Sequence, residues 1–317
     1  MTTTVPGGTS TRPATPGDAA EREPDSFLEV SDLGVRLPTG AHSEVEAVSS
    51  VSLTVGRGER VGIVGESGSG KSVTGRAIAG LLPTNPRVAV SGSIRFDGVE
   101  MVGASPRAWD RIRAKTVGMI FQDPLTFLNP TMKVGRQVRE AVTAERRGRA
   151  DEEVLRFLTQ AGLTDVTALV DRFPHELSGG MRQRVLIAIA IAKLPDLLIA
   201  DEPTTALDAT VQQRVLQTLD STVAELGTSL ILISHDLSVV ASLTDRIYVM
   251  YLGRVVESGR TWDVLSEPKH AYTRALLRSV RSLSADDEEL WSIPPALRAE
   301  LRREIEADRA KGGPDVA

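Results

Sequence analysis

The run GESGSGKS, Gly65 to Ser72, has the residue types and spacing to grip a phosphate. Gly65, Gly68 and Gly70, with Glu66, Ser67 and Ser69 between them, let successive backbone N–H groups turn toward one anion. A helix starting after the loop adds the positive end of its dipole, Lys71 reaches the outer phosphates and Ser72 is a ligand for Mg²⁺. A glycine turn that binds nothing is the plain alternative, and context argues against it: an apolar strand run precedes the loop and a helical run follows. LLIADE, Leu197 to Glu202, sets two carboxylates at the C-terminal end of a continuous apolar strand, where open α/β sheets bind ligands. Asp201 is suited there to Mg²⁺ held through water, and Glu202 to polarising an attacking water as general base, unless one of them only caps the next turn. Ser178, Gly179 and Gly180 in LSGGM open a helix, so a hydroxyl and free N–H donors are offered to a γ-phosphate or, equally, serve an ordinary N-cap.

The elements that position these residues follow from hydrophobic periodicity. Residues 27–55 alternate and are rich in β-branched side chains, with Gly40 and Gly56-Arg57-Gly58 as turn signals, which predicts an antiparallel hairpin region. Arg60 to Val64 (RVGIV) predicts a short buried strand, and Val73 to Leu82 a helix stopped by Pro83. Residues 134–177 lack strand patterning; helices are expected at about 134–147 and 151–160, the second closed by Gly162. Val185 to Lys193 reads as an apolar helix, and Leu197 to Ala200 and Ser229 to Ser234 as strands apolar on both faces, a pattern that belongs to parallel strands covered by helices. Residues 294–311 are expected to form a charged surface helix, and residues 1–26, rich in Thr, Pro and Gly, a disordered tail.

Composition narrows the function. A net charge of -5 over 317 residues gives no basic footprint for nucleic acid, which is therefore not an expected partner. With Cys 0 there is no disulfide, thiolate metal site, Cys-ligated iron–sulfur cluster or cysteine nucleophile, in keeping with a cytoplasmic protein. The longest apolar stretch, Val185 to Ala192, is far short of the roughly 20 residues that span a bilayer, so any membrane crossing falls to other chains.

The phosphate loop, the carboxylate-bearing strand and LSGGM together resemble the ABC ATPase family. FQDPLTFLNPTMKVG (Phe121 to Gly135), ELSGGMRQRV, IADEPTTALDATVQ and KHAYTRALL (Lys269 to Leu277) are similar to the ATPase subunits of dipeptide, oligopeptide and nickel importers, from about Phe27 to Leu283. The resemblance implies an α/β fold: a RecA-like, mostly parallel sheet with an antiparallel β subdomain and an inserted helical subdomain at about 134–178, the nucleotide-binding domain spanning 27–265 and a C-terminal extension 266–317. It implies ATP and Mg²⁺ as cofactors and ATP hydrolysis as the activity. Gln122 is then the glutamine sensing Mg²⁺ and attacking water, Asp208 the dimer-contacting aspartate and His235 the switch histidine. Ser178, Gly179 and Gly180 meet the ATP held by a second ATPase subunit, usually a different gene product. Two transmembrane permeases and an extracytoplasmic binding protein complete the assembly at the cytoplasmic face of the membrane, and peptide import is the expected function. Phe127, Leu128 and Pro130 are candidates for a permease socket, core packing being the other reading. Cargo stays open among dipeptides, longer peptides, nickel chelates and oligosaccharides. A soluble ABC ATPase acting on nucleic acid or ribosomes is the competing function. Three departures are visible: many members of the family carry cysteines for an iron–sulfur cluster near the C-terminus, and this chain has none. HAYT, His270 to Thr273, stands for the usual HPYT, and no aromatic residue between Leu28 and Val64 is available to stack adenine, leaving His42 or Val45 and relaxed base selectivity.

Overall fold

The computed structural model describes residues 26–39, 43–83, 88–205, 207–284, 299–301 and 303; the expected tail, His42 and most of the expected helix at 294–311 lie outside these residues. In chain order the elements are β1 (Ser26–Pro38), β2 (Glu44–Gly56), β3 (Arg60–Val64), α1 (Lys71–Ile78), β4 (Ala89–Phe96), β5 (Val99–Glu100), α2 (Pro106–Lys115), β6 (Val117–Ile120), α3 (Pro124–Phe127), α4 (Val134–Ala141), α5 (Ala150–Gln160), α6 (Val166–Leu169), α7 (Gly179–Ile191), β7 (Leu197–Asp201), α8 (Ala209–Leu226), β8 (Ser229–Ser234), α9 (Leu237–Leu243), β9 (Arg246–Tyr251), β10 (Arg254–Arg260), α10 (Thr261–Ser266) and α11 (Ala271–Ser284). Short 3₁₀ turns at Ala144–Arg149 and Pro174–Glu176 lie between them.

Two sheets result. The first runs β2-β1-β4-β5, and its pairings are antiparallel. The second runs β10-β9-β3-β8-β7-β6, parallel except for the edge strand β10. Its central strands are apolar on both faces because each face meets a separate core. Ile199, Ile231, Ile233 and Tyr248 point to the core shared with α1 and the antiparallel sheet. Leu198, Leu232, Ile247 and Val249 point to the core shared with α7, α8, α9 and the helical segment. Period-2 alternation survives, but both phases are hydrophobic. The chain order places β3 between β9 and β8, so the loop after β3 opens at a topological switch point, the usual ligand crevice of such sheets.

Three expectations are corrected. The helix begun at Val134 ends at Ala141, because Val142 is extended and buried, and a 3₁₀ turn covers 144–149. The helix after the phosphate loop stops at Ile78, with Gly80 at φ 64° providing the left-handed exit well before Pro83. Leu128, a candidate for the permease socket, is 2% exposed and belongs to the core, whereas Leu125 (61%) and Phe127 (44%) face outward. Residues of the C-terminal extension also enter the core: Tyr272, Ala275, Leu276 and Leu301 pack with the helical side of the parallel sheet.

Candidate functional site

Four loops at the C-terminal ends of adjacent parallel strands converge. β3 delivers Gly65 to Lys71, β6 delivers Gln122, β7 ends in Asp201 with Glu202 next, and β8 is followed by His235. At two positions of the phosphate loop only glycine fits. Gly65 has φ 150° and a Cβ there would lie 2.2 Å from the Met250 carbonyl oxygen; Gly70 has φ 99° and a Cβ would lie 2.6 Å from that of Ala47. The Ser69 amide donates to the Glu66 carbonyl (3.2 Å) and Ser69 in turn accepts from the Gly253 amide (3.0 Å), so the loop is held open before any phosphate arrives. Lys71 is 4% exposed, and its Nζ donates to the carbonyls of Gly65 and Glu66, each at 2.8 Å. Burial pulls its pKa below the usual lysine value against the opposing fields of Glu202, Asp201 and Glu66.

The carboxylates have different surroundings. Asp201 is 1% exposed; Oδ1 accepts from the Ser72 hydroxyl at 2.7 Å, and Oδ2 has no hydrogen-bond partner, with Arg76 Nη2 standing 3.9 Å away. Burial, only partly offset by Ser72 and Arg76, raises its pKa above the ordinary aspartate value. Glu202 has φ 46°, a left-handed backbone unusual outside glycine. Its amide donates to the Ile233 carbonyl at 2.9 Å, pinning β7's end to β8. Its Oε2 accepts from Gln122 Nε2 (3.1 Å) and the Thr205 hydroxyl (2.8 Å) and lies 3.3 Å from His235 Nδ1. A cleft of about 640 Å³ opens over these groups, with Ser67, Gly68, Lys71, Gln122, Glu202 and His235 in its wall.

The remaining sequence candidates lie elsewhere. Among the described residues, Ser178, Gly179, Gly180 and Asp208 are not part of that wall. Ser178 is exposed and caps α7, its hydroxyl accepting from the Met181 amide at 3.3 Å; Asp208 likewise caps α8, accepting from the Val211 amide at 3.0 Å. Gly180 is required because α7 crosses α8 closely: a Cβ would meet Val211 Cγ1 at 2.3 Å. On the antiparallel-sheet side the cleft is walled by Leu37 and Ala47 rather than by Val45, which is 53% exposed. Sequence reasoning missed Thr205, which fixes Glu202, and Arg76, which approaches Asp201. Thr205 lies within IADEPTTALDATVQ, three residues after the glutamate it holds.

The donor set fits Mg²⁺. Among the described residues no group of three or more His, Asp and Glu gathers, so a protein cage for a metal is absent, whereas an orphaned buried carboxylate oxygen beside a hydroxyl fits a hard cation whose remaining ligands are water and substrate phosphate. The glycine loop on the central parallel strand, with its own carboxylate strand, glutamine and histidine loops, defines an ATP-binding cassette.

Comparison with known proteins agrees. Residues 48–205 match the family described as ABC transporter, and residues 256–304 the family described as oligopeptide/dipeptide transporter, C-terminal region. The oligopeptide transport ATP-binding protein OppD of Bacillus subtilis is 46% identical over 84% of this chain and 76% of its own length. OppD of Escherichia coli is 43% identical over 87% of this chain and 82% of its own. A dimeric post-hydrolysis structure of the ATP-binding cassette MJ0796 bound to ADP and Pi superposes with TM-score 0.64 at 27% identity, covering 74% of this chain and 98% of that one. The chain belongs to the ABC transporter ATPases, in the branch that carries the oligopeptide/dipeptide transporter C-terminal region. Action on nucleic acid or ribosomes finds no support in these relatives. Among the described residues no helix is long and apolar enough to cross a membrane.

Proposed function

We propose that this chain is the ATP-hydrolysing subunit of a peptide importer, in which ATP binding closes it against a second ABC ATPase subunit, hydrolysis through Glu202 reopens the pair, and two permeases follow the motion. The observation that carries this reading is the Glu202 carboxylate, held by Gln122, Thr205 and His235 beside a formed phosphate loop. In this arrangement the amides of Gly65 to Ser72 bind the phosphates, and Lys71 leaves its two carbonyls for the outer ones. Ser72 and Asp201, with Gln122 at the outer edge, are the residues that would hold Mg²⁺, which supplies charge neutralisation to the phosphates when bound. Glu202 orients water and takes its proton as general base; His235 and Gln122 keep the carboxylate aimed. The N-terminus of α7, with exposed Ser178 and Gly179 and buried Gly180, serves the nucleotide of the opposing subunit, with Asp208 at the same contact.

The partner surface is read from exposed apolar groups. Phe127 stacks on Phe121 with ring centroids 3.7 Å apart, next to exposed Leu125, and Phe121 also lines a groove of about 590 Å³ between the sheet and the helical segment. A permease segment from the membrane side fits there. The match of residues 256–304 to the oligopeptide/dipeptide C-terminal region, and relatives named for oligopeptide and dipeptide transport, support peptides as cargo, delivered by an extracytoplasmic binding protein, with this chain peripheral on the cytoplasmic face. Residues 27–265 act in this reading as the nucleotide-binding unit and 266–317 as its extension.

Reconstitution with both permeases, the second ATPase and the binding protein in vesicles tests it. Peptide-stimulated ATP hydrolysis and peptide accumulation are the expected results. A complex that hydrolyses ATP without responding to any peptide overturns the cargo, and a chain that binds no Mg-ATP overturns the whole proposal.

A further inference from the structure

Beyond the four strand ends, the phosphate loop is held from behind by the C-terminal region. Tyr272 is 0% exposed, and its hydroxyl oxygen accepts a hydrogen bond from the Glu66 amide at 2.9 Å across 206 positions of sequence. Glu66 is the second residue of the loop, and its carbonyl is one of the two on which Lys71 rests. The same carbonyl accepts from the Ser69 amide. Tyr272 therefore fixes one side of the residue whose other side sets both Lys71 and the turn.

The tyrosine is itself well anchored. Its ring packs on Tyr251, the last residue of β9, with centroids 4.3 Å apart. Its amide donates to His270 Nδ1 at 3.1 Å, which closes the start of α11. The turn before α11 is tied to β10, because the Glu257 carboxylate accepts from the amides of Lys269 (2.7 Å) and His270 (3.0 Å). A continuous set of contacts thus runs from β10 through the HAYT segment to the phosphate loop.

We infer that Tyr272 is a positioning residue for nucleotide binding, and that the C-terminal region sets the chain's affinity for Mg-ATP by bracing the loop at Glu66. The inference rests on the assignment of Gly65 to Ser72 as the nucleotide site. Tyr272→Phe keeps the ring in its packing and removes the hydroxyl that accepts from the Glu66 amide. One neutral hydrogen bond lost at the loop corresponds to a rise in the KM for Mg-ATP of about 5- to 10-fold in the assembled transporter, with kcat within about 2-fold of the parent. Fluorescent-nucleotide binding to the isolated subunit is expected to weaken by the same factor, and the melting temperature of the nucleotide-free chain to move little. His270→Ala loosens the start of α11 without touching the ring, and its KM is expected to rise too. A melting temperature that falls while KM stays at the parent value marks a merely structural tyrosine and overturns the inference. Lys71→Ala run alongside separates the two levels: binding lost in that variant but unchanged in Tyr272→Phe removes the brace alone, and binding unchanged in both removes the site assignment beneath it.

Discussion

Glu202 collects three side chains from three different loops on one oxygen, Gln122, Thr205 and His235, and so is held as an acceptor facing the cleft. Glu202→Gln preserves shape and most of these contacts but removes the base. Mg-ATP binding is expected to persist in that variant while steady-state turnover of the assembled complex falls about 10²-fold or more, and unimpaired turnover would remove the glutamate from the mechanism. A second carboxylate lies outside that cleft. Glu100 Oε1 accepts from the amides of Ile94, Met101 and Val102, and Oε2 from Ser93 and Arg95, closing the β4–β5 turn. Burial pushes this carboxyl up, but those donors win and hold it at about 2. A carboxyl depressed in the fold stabilises above its unfolded value of 4.5, and that contribution is lost as pH falls from there toward about 2. Thermal melts of the parent and Glu100→Gln are therefore expected to differ most near neutral pH and to converge in acid; a constant gap across pH would show that ionisation is irrelevant. The phosphate loop and the carboxylate pair were legible as text because their chemistry is local in sequence. Arg76 and Tyr272 were not, because the fold alone brings their partners to them, across 206 positions for Tyr272; Thr205 stands three residues from Glu202, but only the left-handed turn at Glu202 aims its hydroxyl at the carboxylate.

Strands β3, β7 and β8 and helix α7 were readable because continuous apolar runs of this length have few other uses. Boundaries failed where a single residue overrode periodicity: Gly80 ended α1, and buried, extended Val142 ended α4. The C-terminal extension was unreadable as core, since Tyr272 sits in a polar-looking stretch and only packing reveals that it is enclosed. The crossing of α7 over α8 makes a testable demand on both helices. Gly180→Ala forces a methyl against Val211 Cγ1 and is expected to destabilise the chain by about 1–3 kcal/mol in denaturant titration. Adding Val211→Ala opens the space again, and the pair is expected to recover most of that loss; a strictly additive double variant would mean that the contact is not the cause.

The proposal assigns work to two surfaces of the cassette, the nucleotide cleft and the Phe121–Phe127 stack with exposed Leu125 and the adjoining groove. Leu125→Asp combined with Phe127→Asp is expected to abolish co-purification with the permeases and leave Mg-ATP binding by the isolated subunit unchanged. Weakened nucleotide binding in that variant would show that the two faces are not independent. The two-core sheet ties both surfaces to one scaffold, since residues alternating along the same strands anchor the antiparallel sheet on one side and the helical segment on the other.

The left-handed backbone at Glu202 sets thermal resistance against turnover at one position. Glycine accepts that conformation at no steric cost, so under the proposed role of Glu202 it trades turnover for a firmer backbone. A directed-evolution campaign on this protein that screens for heat tolerance and ignores transport is expected to harvest glycine at residue 202, and under the proposed role of Glu202 those variants are expected to bind Mg-ATP and hydrolyse it slowly.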